Sequence, residues 1–258
     1  MHPARIAELL APFLAAPIPV PGSTQHPSDP CHSEERSDEV PALLSPAQLD
    51  SISTYIDILL RWNARINLTA IRDPEQIVTR HFGESLFAAR HLFPRTTRVG
   101  TAAHACPAEQ RLASDGLRAD TNRVSVADVG SGAGFPGLPV KLWAPHISLT
   151  LVESNQKKAT FLREVTRALT LTDVNIKNVR AEALANAFDL VMLRAVENLA
   201  AILPVAASLV APGGRLALLL GAAQLEAAST ALPQFAWSDP ESIPLSRNRI
   251  LAVAHCRS

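Results

Sequence analysis

The sequence predicts an α/β protein in which a doubly wound, mostly parallel sheet follows a small helical N-terminal part. Two observations predict this fold. From Val124 onward, short β-rich runs alternate with runs of helical periodicity. Such alternation is typical of right-handed βαβ units that place helices on both faces of a parallel sheet. A glycine-rich segment directly follows the first strand-like run, which is where such sheets often bind a ligand.

Composition and charge limit the class of protein. The chain has 258 residues, its 24 Lys and Arg balance 24 Asp and Glu, and 47% of it is hydrophobic. These values exclude a chain that is disordered throughout and a uniformly basic nucleic-acid coat, so any contact with nucleic acid must come from a local patch. The most apolar stretch, residues 199–223, is broken by prolines and glycines. We therefore expect no membrane span.

The cysteines carry no sign of a metal site. Cys31, Cys106 and Cys256 lie far apart, without a CxxC pair or a histidine at ligand spacing. We therefore expect a reduced, cytosolic protein that holds no metal.

The chain divides by composition into five segments. They are an N-terminal helix, a first insertion, a helical part, a second insertion and a ligand-binding core, which cover residues 1–16, 17–41, 42–94, 95–123 and 124–258. The first insertion is rich in Pro, Ser and charge and is predicted to be disordered. The second is small, polar and aperiodic and is predicted to be a surface insertion.

Three helices are expected before the second insertion. The first is amphipathic and runs from Arg5 to Ala15. Ser45 suits the N-cap of the second, whose apolar residues recur at three- and four-residue steps until about residues 61–62. The third opens after Asp73 and continues to about residue 91.

The core is predicted to contain strands joined by crossover helices. Strand-like runs cover residues 124–129, 148–153, 174–179, 188–193, 215–220 and 249–254. Helical runs cover residues 137–143, 156–169 and 197–209. Beyond residue 231 only the last strand has a clear pattern.

The segment ADVGSGAGFPG, residues 127–137, is the most informative part of the sequence. Gly130, Gly132 and Gly134 permit a tight turn and leave no side chain between the backbone and a ligand. With Gly137, the last two also satisfy G-x-G-x-x-G, which alone is a weak sign of a dinucleotide site.

Two carboxylates favour a different ligand. Asp128 stands two residues before the first glycine, where it would repel a pyrophosphate and attract positive charge. Glu153 ends the second predicted strand and can accept hydrogen bonds from both hydroxyls of an adenosine ribose. S-adenosylmethionine (SAM) has a sulfonium, an ammonium and no phosphate, so it suits both acids. In the alternative interpretation, Asp128 caps the next helix and Glu153 is an ordinary strand end.

Longer motifs resemble a known family. The runs RWNARINLTAIRDPEQIVTRHFGESL, DVGSGAGFPGLP and LVESNQKKATFLREV, with RAE at residues 180–182 and LRAV around Arg194, are similar to the RsmG (GidB) family of bacterial 16S rRNA guanine-N7 methyltransferases. The resemblance covers residues 43–94 and 125–254. It implies a Rossmann-like class I SAM-dependent methyltransferase fold with a seven-stranded sheet. It also implies methyl transfer to N7 of one guanine in the 530 loop of the rRNA.

The resemblance implies roles for residues at matching positions. Contacts to the cofactor are implied for Gly130, Phe135, Glu153, Ala181, Glu182 and Arg194. Arg194 is expected to order either the guanine or the methionine carboxylate, unless it only pairs with Asp128 or Glu153. Phe135 packs against the cofactor or the target base, or else belongs to the core.

Three positions depart from the family pattern. Glu84 stands where members often have Asp, and Leu220 where they have Lys. His255 or Cys256 stands where the C-terminal end usually carries Lys. The lost positive charge bears on rRNA affinity more than on cofactor binding.

Basic residues are the candidate contacts for RNA, since arginine suits both phosphate contact and stacking on unpaired bases. They are Arg61, Arg65, Arg72, Arg80, His81, Lys157 and Lys158. Solvated helix faces, and packing for His81, are the alternatives. We expect 16S rRNA or the 30S subunit as the partner of a monomer. A SAM-binding regulatory protein without catalysis, or a methyltransferase with another substrate, are the remaining functional alternatives.

Overall fold

The computed structural model describes residues 1–15, 44–95, 123–194 and 198–256. Both predicted insertions lie outside these residues, apart from Arg95 and Arg123 at the two ends of the second. Their predicted disorder and surface position therefore stay predictions.

Four helices form the N-terminal part. They are α1 (Pro3–Ala15), α2 (Pro46–Ile66), α3 (Pro74–Ile77) and α4 (Glu84–Leu92). A π-helical segment, Val78–Gly83, joins α3 to α4 without a break. The three predicted helices are confirmed, and the widened π turn inside the third is the feature that the sequence pattern did not indicate.

Helix α2 starts where predicted and ends later. The Ser45 hydroxyl accepts a hydrogen bond from the Gln48 N–H at 3.3 Å, and the Gln48 side chain accepts one from the Ser45 N–H at 2.8 Å. This reciprocal capping box fixes the start. The predicted end near residues 61–62 is wrong, because the helix continues to Ile66 and ends at Asn67, whose φ is 47°. Asparagine tolerates this left-handed conformation better than most residues.

The core contains an eight-stranded sheet within the described residues. The strands are β1 (Ser125–Val129), β2 (Ser148–Val152), β3 (Val174–Lys177), β4 (Phe188–Arg194), β5 (Val210–Gly221), β6 (Phe235–Trp237), β7 (Glu241–Ser242) and β8 (Arg249–Cys256). The order is β3-β2-β1-β4-β5-β8-β6, with β7 paired to β8. Strands β1 to β5 pair in parallel and β8 runs antiparallel to β5. The expected seven strands form the continuous path, and the two-residue β7 adds an eighth.

Some element boundaries differ from the prediction. Strand β5 begins at Val210, five residues before the expected start. Pro212 and Gly213 interrupt the β-rich pattern there, and the register to β4 shifts over the same stretch. Strand β3 ends at Lys177. Helix α7 (Leu199–Ser208) is confirmed, although its predicted first residue, Glu197, lies outside the described residues.

Helices cover both faces of the sheet, as predicted. Helices α5 (Gly137–Trp143) and α6 (Gln156–Ala168) share one hydrophobic cluster with the N-terminal helices. Helices α7 and α8 (Leu225–Ala231) belong to the cluster on the other face. Phe13, Tyr55 and Phe161 are fully or almost fully buried in the first cluster. The N-terminal helices are therefore part of the main core.

The carboxyl ends of the parallel strands meet at one edge of the sheet. Val129, Val152, Lys177 and Arg194 end β1 to β4 there. Ligands of open α/β sheets bind outside this edge. Within the described residues, none of the helices combines the length and the apolarity required to traverse a bilayer.

Candidate active site

The glycine-rich loop between β1 and α5 is held by its own backbone. Gly130, Gly132 and Gly134 have φ angles of 73°, 53° and 85°, which favour glycine. The N–H groups of Gly130 and Ser131 donate to the Val152 carbonyl at 2.9 and 3.0 Å. The Gly134 N–H donates to the Ser131 carbonyl at 2.6 Å. Hydrogen bonds thus fix the turn to the last residue of β2.

The glycines of this loop serve two different purposes. A Cβ on Gly134 would collide with the Tyr55 hydroxyl and lie 2.7 Å from Leu138 Cδ1, so Gly134 is required by packing. A Cβ on Gly130 would meet no protein atom within 4 Å. At Gly132 the nearest atom would be a backbone oxygen at 3.8 Å. These two glycines border open space that a ligand can occupy.

Glu153 closes the loop from the neighbouring strand. It follows β2 directly and is 7% exposed. One carboxylate oxygen accepts the Gly132 N–H at 2.9 Å and the other accepts the Asn155 N–H at 2.7 Å. Each oxygen has a further lone pair, so the carboxylate can also accept ligand hydroxyls. The interpretation of Glu153 as an ordinary strand end does not account for this bond to the loop.

Four backbone N–H groups of the loop are not free to bind a pyrophosphate. Phosphate cradles rely on free backbone N–H groups pointing at the ligand. Here the N–H groups of Gly130, Ser131, Gly132 and Gly134 all donate to protein oxygens. One acceptor is a carboxylate, which would repel a phosphate. The geometry therefore disfavours the dinucleotide interpretation of G-x-G-x-x-G.

Asp128 lies beneath the loop and is 1% exposed. Its Oδ2 accepts the N–H of Gly137, the first residue of α5, at 3.0 Å, as the capping alternative requires. Its Oδ1 is buried and has no hydrogen-bond partner. Burial raises the pKa of Asp128 to about 7, and the hydrogen bond from Gly137 opposes that rise. An unbonded carboxylate oxygen here is suited to nearby positive charge.

Arg194 pairs with a carboxylate that the sequence did not indicate. Its Nη2 lies 2.9 Å from Glu84 Oε2, so the alternative that it only pairs with Asp128 or Glu153 is wrong. The same Nη2 donates to the Arg80 carbonyl at 2.6 Å. The π-helical segment places this carbonyl and Glu84 on the path of Arg194, and sequence periodicity gave no sign of that segment.

His81 extends this network towards the glycine loop. Its Nδ1 lies 3.1 Å from Arg194 Nη2, and its Nε2 lies 2.7 Å from Thr69 Oγ1. Burial, followed by nearby arginines, lowers its pKa to about 3, so the ring is neutral. The neutral ring accepts from Arg194 at Nδ1 and donates to Thr69 from Nε2. It also stacks on Phe135 with ring centroids 4.9 Å apart.

Phe135 belongs to an aromatic cluster and is 5% exposed. It stacks on Tyr55 at 5.4 Å and meets the edge of Phe82 at 5.1 Å. The Arg194 guanidinium carbon lies 5.9 Å from its ring centroid. Phe135 thus packs in the core. It lies between the glycine-rich loop and the arginine network, which consists of Arg194 with Glu84, the Arg80 carbonyl and His81.

The predicted adenine-side residues lie beyond β3 at the same edge of the sheet. Ala181 begins a short 3₁₀ turn, Ala181–Ala183, and is 6% exposed, whereas Glu182 is exposed.

The predicted RNA residues lie at the surface, with one exception. Arg61 lies 3.8 Å from Glu164, and Arg72 donates to the Asn67 side chain at 3.2 Å. Arg65, Arg80 and Lys157 are exposed, and Lys158 is half-buried. His81 is the exception, because it is 9% exposed and packs within the arginine network.

Three residues of the site were missed by sequence reasoning. Glu84 was noted only as a departure, yet it also lies 3.2 Å from Arg249 Nη2. Arg249 opens β8, where the strand pattern masked its role. Tyr55, the single tyrosine of the chain, donates to the Ala133 carbonyl in the loop. A lone tyrosine within an otherwise apolar helical stripe was the available signal.

The described residues bring together no group of three or more His, Cys, Asp or Glu side chains that could hold a metal ion.

Comparison with known proteins adds independent findings. A family model described as rRNA small subunit methyltransferase G matches residues 48–101 and 115–246. A ribosomal RNA small subunit methyltransferase G of Stenotrophomonas maltophilia is 38% identical over 205 residues, covering 79% of this chain and 82% of that protein. A protein of the same name from Bacillus cytotoxicus is 33% identical over 189 residues, covering 71% and 68%.

Among solved structures, a ribosomal protein L11 methylase of Lactobacillus delbrueckii subsp. bulgaricus matches with a TM-score of 0.46 and 19% identity, over 54% of this chain and 73% of that one.

Proposed function

Because this chain belongs to the rRNA small subunit methyltransferase G family, we propose that it transfers a methyl group from SAM to N7 of a guanine in the 530 loop of bacterial 16S rRNA. Small-subunit rRNA as the substrate follows from the family. The N7 atom and the 530 loop follow from the resemblance of the sequence motifs.

The surroundings of Glu153 beside the glycine-rich loop support SAM as the cofactor. Glu153 accepts the Gly132 N–H at 2.9 Å, while a Cβ on Gly130 would meet no protein atom within 4 Å. Open space beside a carboxylate, with the N–H groups of all three loop glycines already donating to protein oxygens, suits an adenosine ligand that has a ribose and no phosphate. The buried, unbonded Oδ1 of Asp128 suits its positive charge.

The residues present therefore fit SAM. Glu153 would accept the ribose hydroxyls, and Ala181 and Glu182 would border the adenine. Gly130, Gly132 and Gly134 allow the backbone to approach the ligand. Phe135 and Arg194 lie where the loop meets the arginine network, and they would border the methionine end.

The chemistry requires positioning more than proton transfer. When bound, SAM supplies an electrophilic methyl group on a sulfonium. N7 of guanine has a lone pair and no proton at neutral pH. A carbon–nitrogen bond therefore forms as the carbon–sulfur bond breaks, and positive charge moves from sulfur to the purine without proton release. In-line geometry is the main contribution asked of the protein.

Arg194 is the proposed catalytic residue. Its side chain is 9% exposed, and its guanidinium is fixed by Glu84, the Arg80 carbonyl and His81. From there it orders either the target guanine or the methionine carboxylate. Such fixed geometry is what a transfer without a general base demands.

The substrate is 16S rRNA or the 30S subunit, and the protein acts as a monomer in the cytoplasm. The proposed phosphate contacts are basic side chains on α2, α6 and the segment between α2 and α4, all exposed except the half-buried Lys158. They are Arg61, Arg65, Arg72, Arg80, Lys157 and Lys158. His81 is assigned to positioning Arg194.

The departures from the family pattern bear on this partner. Leu220 is 5% exposed and packs with the cluster around α7 and α8. The leucine therefore contributes packing where many members carry a charge. His255 is exposed near the end of β8, where it stands in place of a family lysine.

Methyl transfer in vitro tests the proposal. Purified protein is incubated with isotopically labelled SAM and either 30S subunits or protein-free 16S rRNA from a strain that lacks the modification. Label is expected in one guanine of the 530 loop for the wild type, and none for Arg194→Ala. Arg123→Ala, an arginine at the opposite edge of the sheet, is the matched control.

The same assay separates the alternatives. A protein that binds SAM but labels no rRNA and no other acceptor would be a regulatory binder. Label in protein or in a small molecule would indicate a methyltransferase with another substrate.

A further inference from the structure

One large apolar side chain stands out on the surface beside the site. Leu245 is 73% exposed, and the other exposed large hydrophobic residue among the described ones is Val179 at 37%. Leu245 has a φ of 57°, a left-handed conformation that leucine rarely adopts. Single exposed leucines are common, but this one combines exposure with an unfavourable backbone conformation.

The loop that carries Leu245 is short and tied by hydrogen bonds. The Ile243 N–H donates to the Arg249 carbonyl at 3.0 Å, and the Ser246 N–H donates to the Ile243 carbonyl at 3.2 Å. The Arg249 N–H donates to the Ser246 hydroxyl at 3.1 Å. The tip of this loop, at Leu245, is therefore fixed by hydrogen bonds on both sides.

This tip lies at the edge of the sheet where the reaction takes place. Arg249 pairs with Gly221 at the carboxyl end of β5, and the Ala222 N–H donates to the Asn248 carbonyl at 2.8 Å. Leu245, Arg80 and Glu84 are among the residues that line one cleft of about 350 Å³. Glu84 is the residue that holds Arg194. The tip thus borders a cleft that is also lined by Glu84, the ion-pair partner of Arg194.

The charge around the tip indicates which partner it meets. Arg80, which lines the cleft, and Arg247, which follows Leu245 by two residues, are both exposed. Glu84, the carboxylate of the cleft, is 5% exposed and already paired with arginines. An apolar tip flanked by guanidinium groups suits a nucleic acid. The arginines match phosphates, and the aliphatic side chain matches the face of a base.

Methyl transfer to a base in folded RNA requires that the base leave its stack. Proteins that open a stack often insert an aliphatic side chain into the gap. On the basis of the proposed function, we infer that Leu245 is an RNA wedge: it enters the 530 loop and fills the space left by the target guanine, while Arg80 and Arg247 hold the flanking phosphates. Leu245 is thus a positioning residue for the acceptor base.

The left-handed backbone provides a discriminating variant. Leu245→Gly removes the wedge and relieves the backbone strain, so the melting temperature is expected to stay the same or rise. The kcat/KM for 30S subunits is expected to fall about tenfold or more, since the open stack loses its filler. Affinity for S-adenosylhomocysteine should not change. Leu245→Met, which restores an aliphatic side chain, should recover most of the activity.

A matched control exists at the other edge of the sheet. Thr170 also has a left-handed φ, 49°, and follows α6. Thr170→Gly should raise the melting temperature similarly and leave kcat/KM unchanged.

Full activity of Leu245→Gly on an active wild-type background would overturn the wedge. A defect confined to 30S subunits, with normal activity on protein-free 16S rRNA, would overturn it in favour of a ribosomal-protein contact. Failure of the proposed function looks different, because the wild type itself would then label no rRNA guanine.

Discussion

The Glu84 carboxylate holds Arg194 through one oxygen: Oε2 accepts from Nη2 at 2.9 Å and from Nε at 3.2 Å. Both side chains are almost fully buried, at 6% and 9% exposure. The pair joins the first residue of α4 to the last residue of β4. Two motifs that are far apart in the sequence therefore meet as one unit.

Removing this carboxylate should disturb both stability and binding. Glu84→Gln leaves Arg194 and Arg249 without their shared anion, and loss of one partner of a buried pair costs about 3–5 kcal/mol. Chemical denaturation should show that loss, and calorimetry with S-adenosylhomocysteine should show weaker binding. Glu84→Asp, which keeps the charge and matches many family members, should retain more of both. If Glu84→Gln and the wild type had equal stability and affinity, the Glu84–Arg194 pair would contribute to neither.

The two kinds of loop glycine should respond differently to alanine. Gly130→Ala meets no protein atom, so its cost is the strained φ of 73°, about 1 kcal/mol. Its methyl group would enter the ligand space, and cofactor affinity should fall by about tenfold or more. Gly134→Ala collides with Tyr55 and Leu138 and should lower the melting temperature clearly. Calorimetry and thermal unfolding on both variants check the contrast, and a reversed pattern would contradict it.

Asp128 should make the stability of the ligand-free protein depend on pH. Its pKa is raised by burial from 3.8 to about 7, so the folded protein holds a proton that the unfolded chain releases near pH 4. This contribution is fully present below pH 4 and is lost as the pH rises through 7, by roughly 4 kcal/mol in all.

Asp128→Asn, which is neutral at every pH, isolates the effect. The free energy of unfolding of the wild type minus that of the variant should fall between pH 4 and pH 8. Parallel pH curves for the two proteins would show that the carboxyl group titrates normally.

The α2 arginines should affect RNA binding alone. Arg61 and Arg65 are exposed, and the contact from Arg61 to Glu164 is long at 3.8 Å, so their replacement should cost little stability. The double change to Ala should weaken 30S binding and reduce the slope of log Kd against log salt by about one for each lost phosphate contact. Cofactor affinity should stay constant. An unchanged salt slope would place the RNA elsewhere.

Much of the fold follows from the sequence because its signals are local. Helical periodicity located α2 and α6, and β-rich runs located the parallel strands. Ser45 predicted the start of α2 through its capping chemistry. The glycine loop and Glu153 were also predictable, since a strand followed by glycines and an acid after the next strand both lie within one βαβ unit.

The rest depended on contacts between distant segments. No local pattern indicates that Glu84 lies against Arg194, because the π-helical segment sets the direction of the side chain and β4 lies more than a hundred residues later. The end of α2 was missed because Asn67, not the polar residues before it, adopts the left-handed conformation. The role of Leu245 was hidden because exposure cannot be read from an apolar residue in a loop.

Mass-spectrometric mapping of 7-methylguanosine in 16S rRNA shows whether this protein methylates the 530 loop in cells. Three strains are compared: one with the gene intact, one with it deleted, and a deletion strain that carries Arg194→Ala. We expect the modified guanine in the 530 loop of the first strain and its absence in the other two. Persistence of that 7-methylguanosine after deletion of the gene would contradict this expectation.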